Sequence, residues 1–193
     1  QVLNVNYGIS RNSAPTVAAV MPTVFSHVDL AALVALPSLA TDVDGDPVFF
    51  RIVRTENVSA QFTADGGFIR VRPDSGFAGI GKVTVVADDG YASTDEFTFD
   101  LTVSDAALTD ITMLYRKFMF DNPGELGELV VVGQFADQAD VILPFDYVTV
   151  TSANPAVVRV SDTGLLTAVA EGDTYLLARR GKIAALLRKR LTA

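Results

Sequence analysis

Three aspartates alternate along one short segment in the first half of the chain, where Asp42, Asp44 and Asp46 surround Gly45. Hard cations such as calcium take about six to eight oxygen ligands, and closely spaced carboxylates supply several of them. The glycine lets the backbone fold back, so that the three carboxylates can face one point. The pattern predicts a calcium site. It is not an EF-hand, because Gly45 stands fourth rather than sixth in the run.

A second interpretation of the same segment needs no metal. Close carboxylates repel each other, but water screens that repulsion in an exposed turn. Arg51 or Arg54 would then act as a partial counterion. The residues leave both interpretations open, and the thermal stability of the first half in calcium separates them, because an ion that binds only the native state raises the melting temperature.

Residue types that carry acid–base or nucleophilic catalysis are scarce. The chain has one histidine, His27, set among apolar residues with no serine elbow, and no cysteine. We predict that His27 is a partly exposed strand residue rather than a member of a triad. Most carboxylates stand in Asp-Gly turns, where they normally bond backbone amides instead of facing each other across a sugar cleft. The chain is therefore not expected to be an enzyme.

Composition and charge limit the classes of partner. The 193 residues carry a net charge of -8 and are 49% hydrophobic, which is enough apolar material for packed cores. Residues 1–105 hold 13 Asp and Glu against 6 Lys and Arg, whereas residues 106–193 hold 10 against 9. An acidic chain repels phosphate backbones, so nucleic acid is not an expected partner. No apolar run reaches the roughly 18 residues of a membrane span.

Two clusters in the second half each allow two interpretations. Six basic residues lie near the C-terminal end: Arg179, Arg180, Lys182, Arg188, Lys189 and Arg190. We interpret them as a solvated strand edge, since charge protects edges from aggregation, with a positive binding stripe as the alternative. Tyr115, Phe118 and Phe120 form an aromatic cluster, interpreted as core or interdomain packing, with an exposed sugar- or protein-binding patch as the alternative.

The elements that must position these residues are short β-strands. Alternating or β-branched apolar runs are separated by Gly, Asp, Asn and Pro, which is the pattern of antiparallel sandwiches. Asp65-Gly66-Gly67 and Asp162-Thr163-Gly164 are predicted hairpin turns. The predicted strands are 48–53, 68–71, 82–87 and 96–103 in the first half, and 128–135, 147–151, 157–160, 165–169 and 174–178 in the second.

Two segments do not fit one element type, and one polar crossing divides the chain. Residues 30–39 are predicted as a loop with a short helical turn, whereas 182–191 fits both a strand and helical spacing. A polar segment near Asp105 separates two series of strands. We therefore predict two domains, 1–105 and 106–193. The expected fold class is all-β, with two tandem antiparallel Greek-key β-sandwiches.

The first half resembles the cadherin-like modules found in tandem in bacterial surface proteins. The resemblance is carried by Asn12-Ser13-Ala14-Pro15, by residues 42–47, 69–73 and 76–79, by Asp88-Asp89-Gly90 and by 97–103. It implies a sandwich whose acidic loops lie at one end, where Asp88 and the Asn12 region approach Asp42, Asp44 and Asp46. Asp88 therefore joins the predicted calcium ligands.

The second half resembles a group 2 bacterial immunoglobulin-like domain, the type shared by invasins, intimins and many exported enzymes. The resemblance is carried by residues 149–158, 160–169 and 171–174, which include Asn154-Pro155 and Asp162-Thr163-Gly164. It implies a second, immunoglobulin-like sandwich. It also assigns residues 182–191 to a terminal strand.

Together the resemblances imply a structural and adhesive pair of modules, stiffened by calcium, from a larger secreted or cell-surface bacterial protein. Its expected partners are other modules of the same polypeptide, and a surface protein or a glycan. The alternative is a carbohydrate- or receptor-binding module attached to an extracellular enzyme, with contacts from loops or from the segment near Tyr115. A hydrolase would instead need two carboxylates facing each other across a cleft.

Overall fold

The computed structural model describes residues 12–115 and 119–191. These residues form two compact units that divide between Asp105 and Ala106. Each unit is built from β-strands, and the one helical element in the described ranges is the 3-10 turn Leu36–Ser38. No helix in those ranges has the length and hydropathy needed to cross a membrane.

The first module is a sandwich of two main sheets. One sheet has the strand order β2-β9-β8-β5, the other has the order β3-β7-β6, and β1 pairs with β4. The pair β2–β9 is parallel, whereas β5–β8 and β8–β9 are antiparallel. The strands are β1 (Thr16–Val17), β2 (Val24–His27), β3 (Ala32–Ala35), β4 (Ala40–Thr41), β5 (Phe49–Glu56), β6 (Val58–Phe62), β7 (Phe68–Pro73), β8 (Gly79–Asp88) and β9 (Phe97–Ser104).

The core of the first module follows the period of two along its strands, because alternate side chains of a strand point to opposite faces. Ile69 and Val71 of β7 are fully buried between the sheets, and Phe99 and Leu101 of β9 face them from the other layer. Apolar burial of this kind contributes about 25 cal/mol for each Å² removed from water. The packed layers hold the loops at both ends of the module in place.

The second module repeats the plan. Its sheets have the orders β10-β12-β16-β15, with β13 beside β12, and β11-β18-β17-β14. The pair β11–β18 is parallel. The strands are β10 (Leu108–Tyr115), β11 (Met119–Phe120), β12 (Leu126–Phe135), β13 (Val141–Leu143), β14 (Thr149–Ser152), β15 (Val158–Val160), β16 (Leu165–Ala168), β17 (Gly172–Arg180) and β18 (Ile183–Leu191).

The all-β prediction is confirmed, with one parallel pair in each module where only antiparallel pairs were expected. The terminal strand predicted for 182–191 is present as β18. Residues 30–39 contain the expected helical turn but also the strand β3, which pairs with β7. Both predicted hairpin turns are present, with Gly66 and Gly164 at φ +69° and +83°.

Candidate functional site

Asp42 folds the acidic loop onto its own backbone. Its Oδ1 accepts hydrogen bonds from the backbone N–H groups of Asp44, at 2.8 Å, and Asp46, at 3.2 Å. Gly45 makes this turn possible at φ +85°, in the left-handed region that favours glycine. Oδ2 of Asp42 is buried and has no hydrogen-bond partner among the described residues. The loop therefore holds one carboxylate oxygen in place without a donor.

The N-terminal segment is tied to this loop and to the turn after β8. The backbone N–H of Ser13 donates to Oδ2 of Asp44 at 2.6 Å. The side-chain amide of Asn12 donates to Oδ2 of Asp89 at 2.9 Å. The resemblance predicted that the Asn12 region would approach the acidic loops, and these two bonds place it there.

Asp89 is the buried carboxylate of the turn, with 5% of its surface exposed. Besides Asn12, it accepts hydrogen bonds at 2.7 Å from the N–H groups of Tyr91 and Ala92. These donors, with the Asn12 amide as the largest contribution, hold the pKa of Asp89 below its ordinary value of 3.8. The sequence did not distinguish Asp89 from Asp88, because both precede Gly90 and both fit the same turn.

Asp88, the predicted ligand, is bonded within its own turn. Its Oδ1 accepts from the N–H of Gly90 at 2.7 Å, and its Oδ2 accepts from the hydroxyl of Ser93. Phe49 at the start of β5 pairs with Asp88 at the end of β8, so the two acidic segments lie at the same end of the sandwich. The structure thus gathers the predicted residues at one end, where Asp42 and Asp88 bond within their own turns and Asp44 accepts from Ser13.

We call this end of the first module the acidic tip, and define it as Asn12, residues 42–46 and residues 88–91. An open cleft of about 500 Å³ in it is lined by Asn12, Asp44, Asp46 and Tyr91. Strand β9 starts at this end and runs away from it to Ser104. Eight residues of strand cover about 25 Å, so the acidic tip lies at the opposite end of the module from Ser104.

The acidic tip does not contain a preformed metal centre in this structure. Within residues 12–115 and 119–191, no group of three or more His, Asp or Glu side chains is arranged to hold a metal ion. Oδ1 of Asp42 and Oδ2 of Asp44 are occupied by backbone donors instead. Calcium binding by Asp42, Asp44, Asp46 and Asp88 stays a prediction.

His27 is buried, although it lies outside the apolar core cluster of the first module. It is 1% exposed, and its ring meets Phe25 edge-on, with the ring centroids 5.3 Å apart. The prediction of a partly exposed histidine was wrong, since His27 is covered while Phe25, on the same face of β2, is 42% exposed. Pairing with β9 places His27 opposite Ser104. The hydroxyl of the neighbouring Ser26 donates to the carbonyl of Leu30 at 2.7 Å, so that serine has a structural role.

The aromatic cluster is core where the structure describes it. Phe120 is fully buried, and Nζ of Lys189 lies 5.6 Å from its ring centroid. Burial lowers the pKa of the Lys189 ammonium from its ordinary value. Phe118 and the side chain of Tyr115 lie outside the described residues.

The basic cluster is divided between the two faces of the β17–β18 hairpin. Arg180 turns towards the core side, where its guanidinium lies 3.8 Å from the ring centroid of Tyr147 and donates to the carbonyl of Tyr147 at 2.8 Å. Lys189 is buried, whereas Arg179, Lys182 and Arg188 are exposed. The side chain of Arg190 lies outside the described residues. The described basic residues therefore do not form one continuous stripe.

A cleft of about 360 Å³ in the second module brings two carboxylates to one surface. Asp146 and Asp162 line it together with Phe145 and Ser161. The Ser161 hydroxyl accepts hydrogen bonds from the N–H groups of Thr163 and Leu165, at 3.3 and 3.0 Å. It therefore closes the β15–β16 turn rather than acting as an activated nucleophile.

The strand orders of both modules define immunoglobulin-like β-sandwiches. A family model described as a bacterial Ig domain matches residues 12–110, and one described as a group 2 bacterial Ig-like domain matches residues 122–178. The chain belongs to the bacterial Ig domain family, with a group 2 module following the first. The tandem of bacterial sandwich modules predicted from the sequence is confirmed.

Similar solved structures are distant. Domains 4–9 of the surface layer protein SbsC share 16% identity at a TM-score of 0.40, over 95% of this chain and 32% of that one. An endo-fucoidan hydrolase of glycoside hydrolase family 107 shares 12% identity at a TM-score of 0.38, over 93% of this chain and 28% of that one. This chain thus spans about a third or less of either protein. A search of curated proteins found no match.

Proposed function

We propose that the chain is a non-catalytic pair of structural modules within a larger secreted or cell-surface bacterial protein. The observation that supports this most directly is that the polar side chains of the loops make hydrogen bonds within their own turns. Asp88, Asp89 and Ser161 all bond adjacent backbone or hydroxyl groups. Side chains that make such hydrogen bonds hold the loops rigid and are not placed to transfer protons.

The two sandwiches should act as two mechanical units. Single-molecule stretching of the whole chain should give two separate unfolding events, each releasing about 300 Å of chain, since roughly 90 extended residues span that length. Assays for reducing ends released from polysaccharides should stay at background. One unfolding event for the whole chain, or steady hydrolysis lost in Asp146→Asn, would contradict the proposal.

Calcium at the acidic tip is the finer part of the proposal. Support comes from Oδ2 of Asp42, which is buried without a hydrogen-bond partner among the described residues, in the loop that also carries Asp44 and Asp46. A divalent ion there would satisfy that oxygen and screen the repulsion between the three carboxylates. The acidic tip lies at the opposite end of the module from Ser104. A bound ion would therefore stiffen the N-terminal segment at Asn12 rather than the segment that follows β9.

Scanning calorimetry of the whole chain in EDTA and in millimolar calcium tests this part. The unfolding temperature of the first module should rise in calcium, because the ion binds only the folded loop. Asp42→Asn should abolish the rise. Asp65→Asn is the matched control, because Asp65 also closes a turn, through Thr63 and Gly67, but lies in a different loop. An unfolding temperature of the wild type that is the same in EDTA and in calcium would show that the loop is a solvated turn without a bound ion.

The second candidate function is carbohydrate binding, for which the cleft of the second module is the supporting observation. Phe145, Asp146 and Asp162 combine an aromatic ring with carboxylates, and sugars are held by such apolar and polar pairs. A glycan array separates the two candidates. Retention of a glycan by the wild type, lost in Asp162→Ala, would favour carbohydrate binding over a purely structural role.

A further inference from the structure

The outer face of the β17–β18 hairpin carries apolar side chains that remain exposed among the described residues. Along β17, Thr174, Leu176 and Ala178 are buried, so the residues between them lie on the opposite face. Tyr175 is 50% exposed, and Leu186 on β18 is 72% exposed. We call this surface the hairpin face, and it comprises Tyr175, Leu177, Arg179, Leu186 and Arg188.

Strand pairing places these side chains side by side. Tyr175 is paired with Arg188, and Leu177 with Leu186. Residues paired across antiparallel strands have Cβ atoms about 5 Å apart, so the leucines and the tyrosine form one patch. Contiguous exposed apolar side chains on a flat sheet with a charged rim are typical of interaction surfaces rather than of scattered surface residues.

The rim of the hairpin face is positively charged. Arg179 is exposed and has no carboxylate partner among the described residues. Arg188 forms an ion pair with Asp173 at 3.2 Å, but 57% of its side chain remains exposed. Exposed ion pairs of this kind are weak, so both guanidinium groups are available to a negatively charged partner.

The same chain carries a surface of the opposite charge. The acidic tip also exposes apolar side chains, with Val43 and Tyr91 exposed by 76% and 81%. Asp44 and Asp46 lie beside Tyr91 around one cleft. Neither residues 42–50 nor residues 88–96 contain a Lys or an Arg. Exposed apolar side chains among carboxylates are complementary in charge to exposed apolar side chains among guanidinium groups.

We propose that the hairpin face of one copy of this chain docks onto the acidic tip of a second copy. Because the two surfaces differ, the contact is head-to-tail, and each copy keeps one free surface of each kind. Such contacts build open chains or rings rather than two-fold symmetric dimers. The inference goes beyond the structural role proposed above, because it makes the modules themselves the source of assembly.

Sedimentation velocity of the full chain in EDTA tests the docking, since EDTA keeps the acidic tip free of cations. The mean sedimentation coefficient should rise with protein concentration at about 20 mM salt and fall to the monomer value at about 500 mM, where charges are screened within a few ångströms. A monomer at every concentration in low salt would overturn the proposal.

Charge reversal on either surface should remove self-association. Arg179→Glu alters the hairpin face, and Asp46→Lys alters the tip without removing a side-chain hydrogen bond of the described residues. Arg159→Glu is the matched control, since Arg159 is exposed on β15 in the other sheet of the same module. It should associate like the wild type.

Mixing the two variants distinguishes head-to-tail docking from other contacts. Arg179→Glu keeps an intact tip and Asp46→Lys keeps an intact hairpin face, so each alone should be monomeric while the mixture forms a one-to-one complex that does not grow. A mixture that stays monomeric would overturn the proposal. Binding of dextran sulfate by wild type but not by Arg179→Glu, without self-association, would instead assign the hairpin face to an anionic polysaccharide.

Discussion

Asn12 and Asp89 are joined by a hydrogen bond of 2.9 Å across 77 residues of sequence. The bond fastens the N-terminal segment to the turn that follows β8. It reaches a carboxylate that two backbone N–H groups already hold in position. The acidic tip is therefore organised around a buried aspartate that bonds to its surroundings, with the exposed aspartates arranged about it.

Asn12→Ala should lower the free energy of unfolding of the first module at pH 7. The pKa of Asp89 is below 3.8 in the folded protein, so its stabilising contribution is present above that value and is lost as the pH falls through the folded pKa. The difference from wild type should therefore shrink below pH 3.8. Urea titrations of both proteins between pH 7 and 2.5 measure it.

Ser13→Ala is the control for that experiment, because the backbone N–H that bonds Asp44 remains. It should unfold close to wild type at every pH. An Asn12→Ala deficit that stays constant down to pH 2.5 would show that the amide supports the fold without acting through the charge of Asp89.

Arg180→Leu should destabilise the second module by about 1–2 kcal/mol, because it removes both the stacking on the Tyr147 ring and the bond to its carbonyl. Arg180→Lys should recover only part of the loss, since an ammonium cannot stack and donate in the same geometry. Arg179→Leu, on the exposed side of the same strand, should stay within about 0.5 kcal/mol of wild type. Equal losses in the free energy of unfolding for Arg179→Leu and Arg180→Leu, measured by chemical denaturation, would contradict a stabilising contact between Arg180 and Tyr147.

The difference between Arg179 and Arg180 shows what the sequence could and could not supply. Strand β17 was predictable as a short apolar run, Tyr175 to Ala178, that follows a Gly-Asp turn signal, and the hairpin turns were predictable from Asp and Gly. Successive side chains of a strand point to opposite faces, which sends the neighbouring arginines apart. Which of them finds a ring depends on Tyr147, 33 residues away, and local patterns carry no information about such contacts.

The acidic tip was predictable to the same extent. Local spacing marked Asp42, Asp44 and Asp46, and the family resemblance placed the Asn12 region near them. Which aspartate bonds Asn12 was decided by the turn after β8, which buries Asp89 and leaves Asp88 partly exposed. His27 was misjudged for a related reason, since the burial of a strand residue depends on which distant residues pack over its side chain.

Gly164→Ala should destabilise the second module by about 2–4 kcal/mol. The residue has φ +83°, and an added Cβ would lie 2.2 Å from the ring of Phe145 and 3.1 Å from the carbonyl oxygen of Leu129. The substitution therefore combines left-handed strain with overpacking. Gly181→Ala is the control, because φ is +57° there with open space around it, and it should cost about 1 kcal/mol. Similar losses of stability for Gly164→Ala and Gly181→Ala in thermal unfolding would exclude the contact with Phe145 as the cause.

Lys189→Met should make the stability of the second module less dependent on pH between 7 and 10.5. Burial beside Phe120 holds the folded pKa of Lys189 below 10.5, so between these two pKa values the unfolded chain binds more protons and wild-type stability rises with pH. The variant has no ammonium at this position and should lack that rise. Denaturant titrations at pH 7, 9 and 10 measure the free energy of unfolding, with the exposed Lys182→Met as control. A variant whose stability rises with pH as steeply as that of the wild type would contradict the lowered pKa of Lys189.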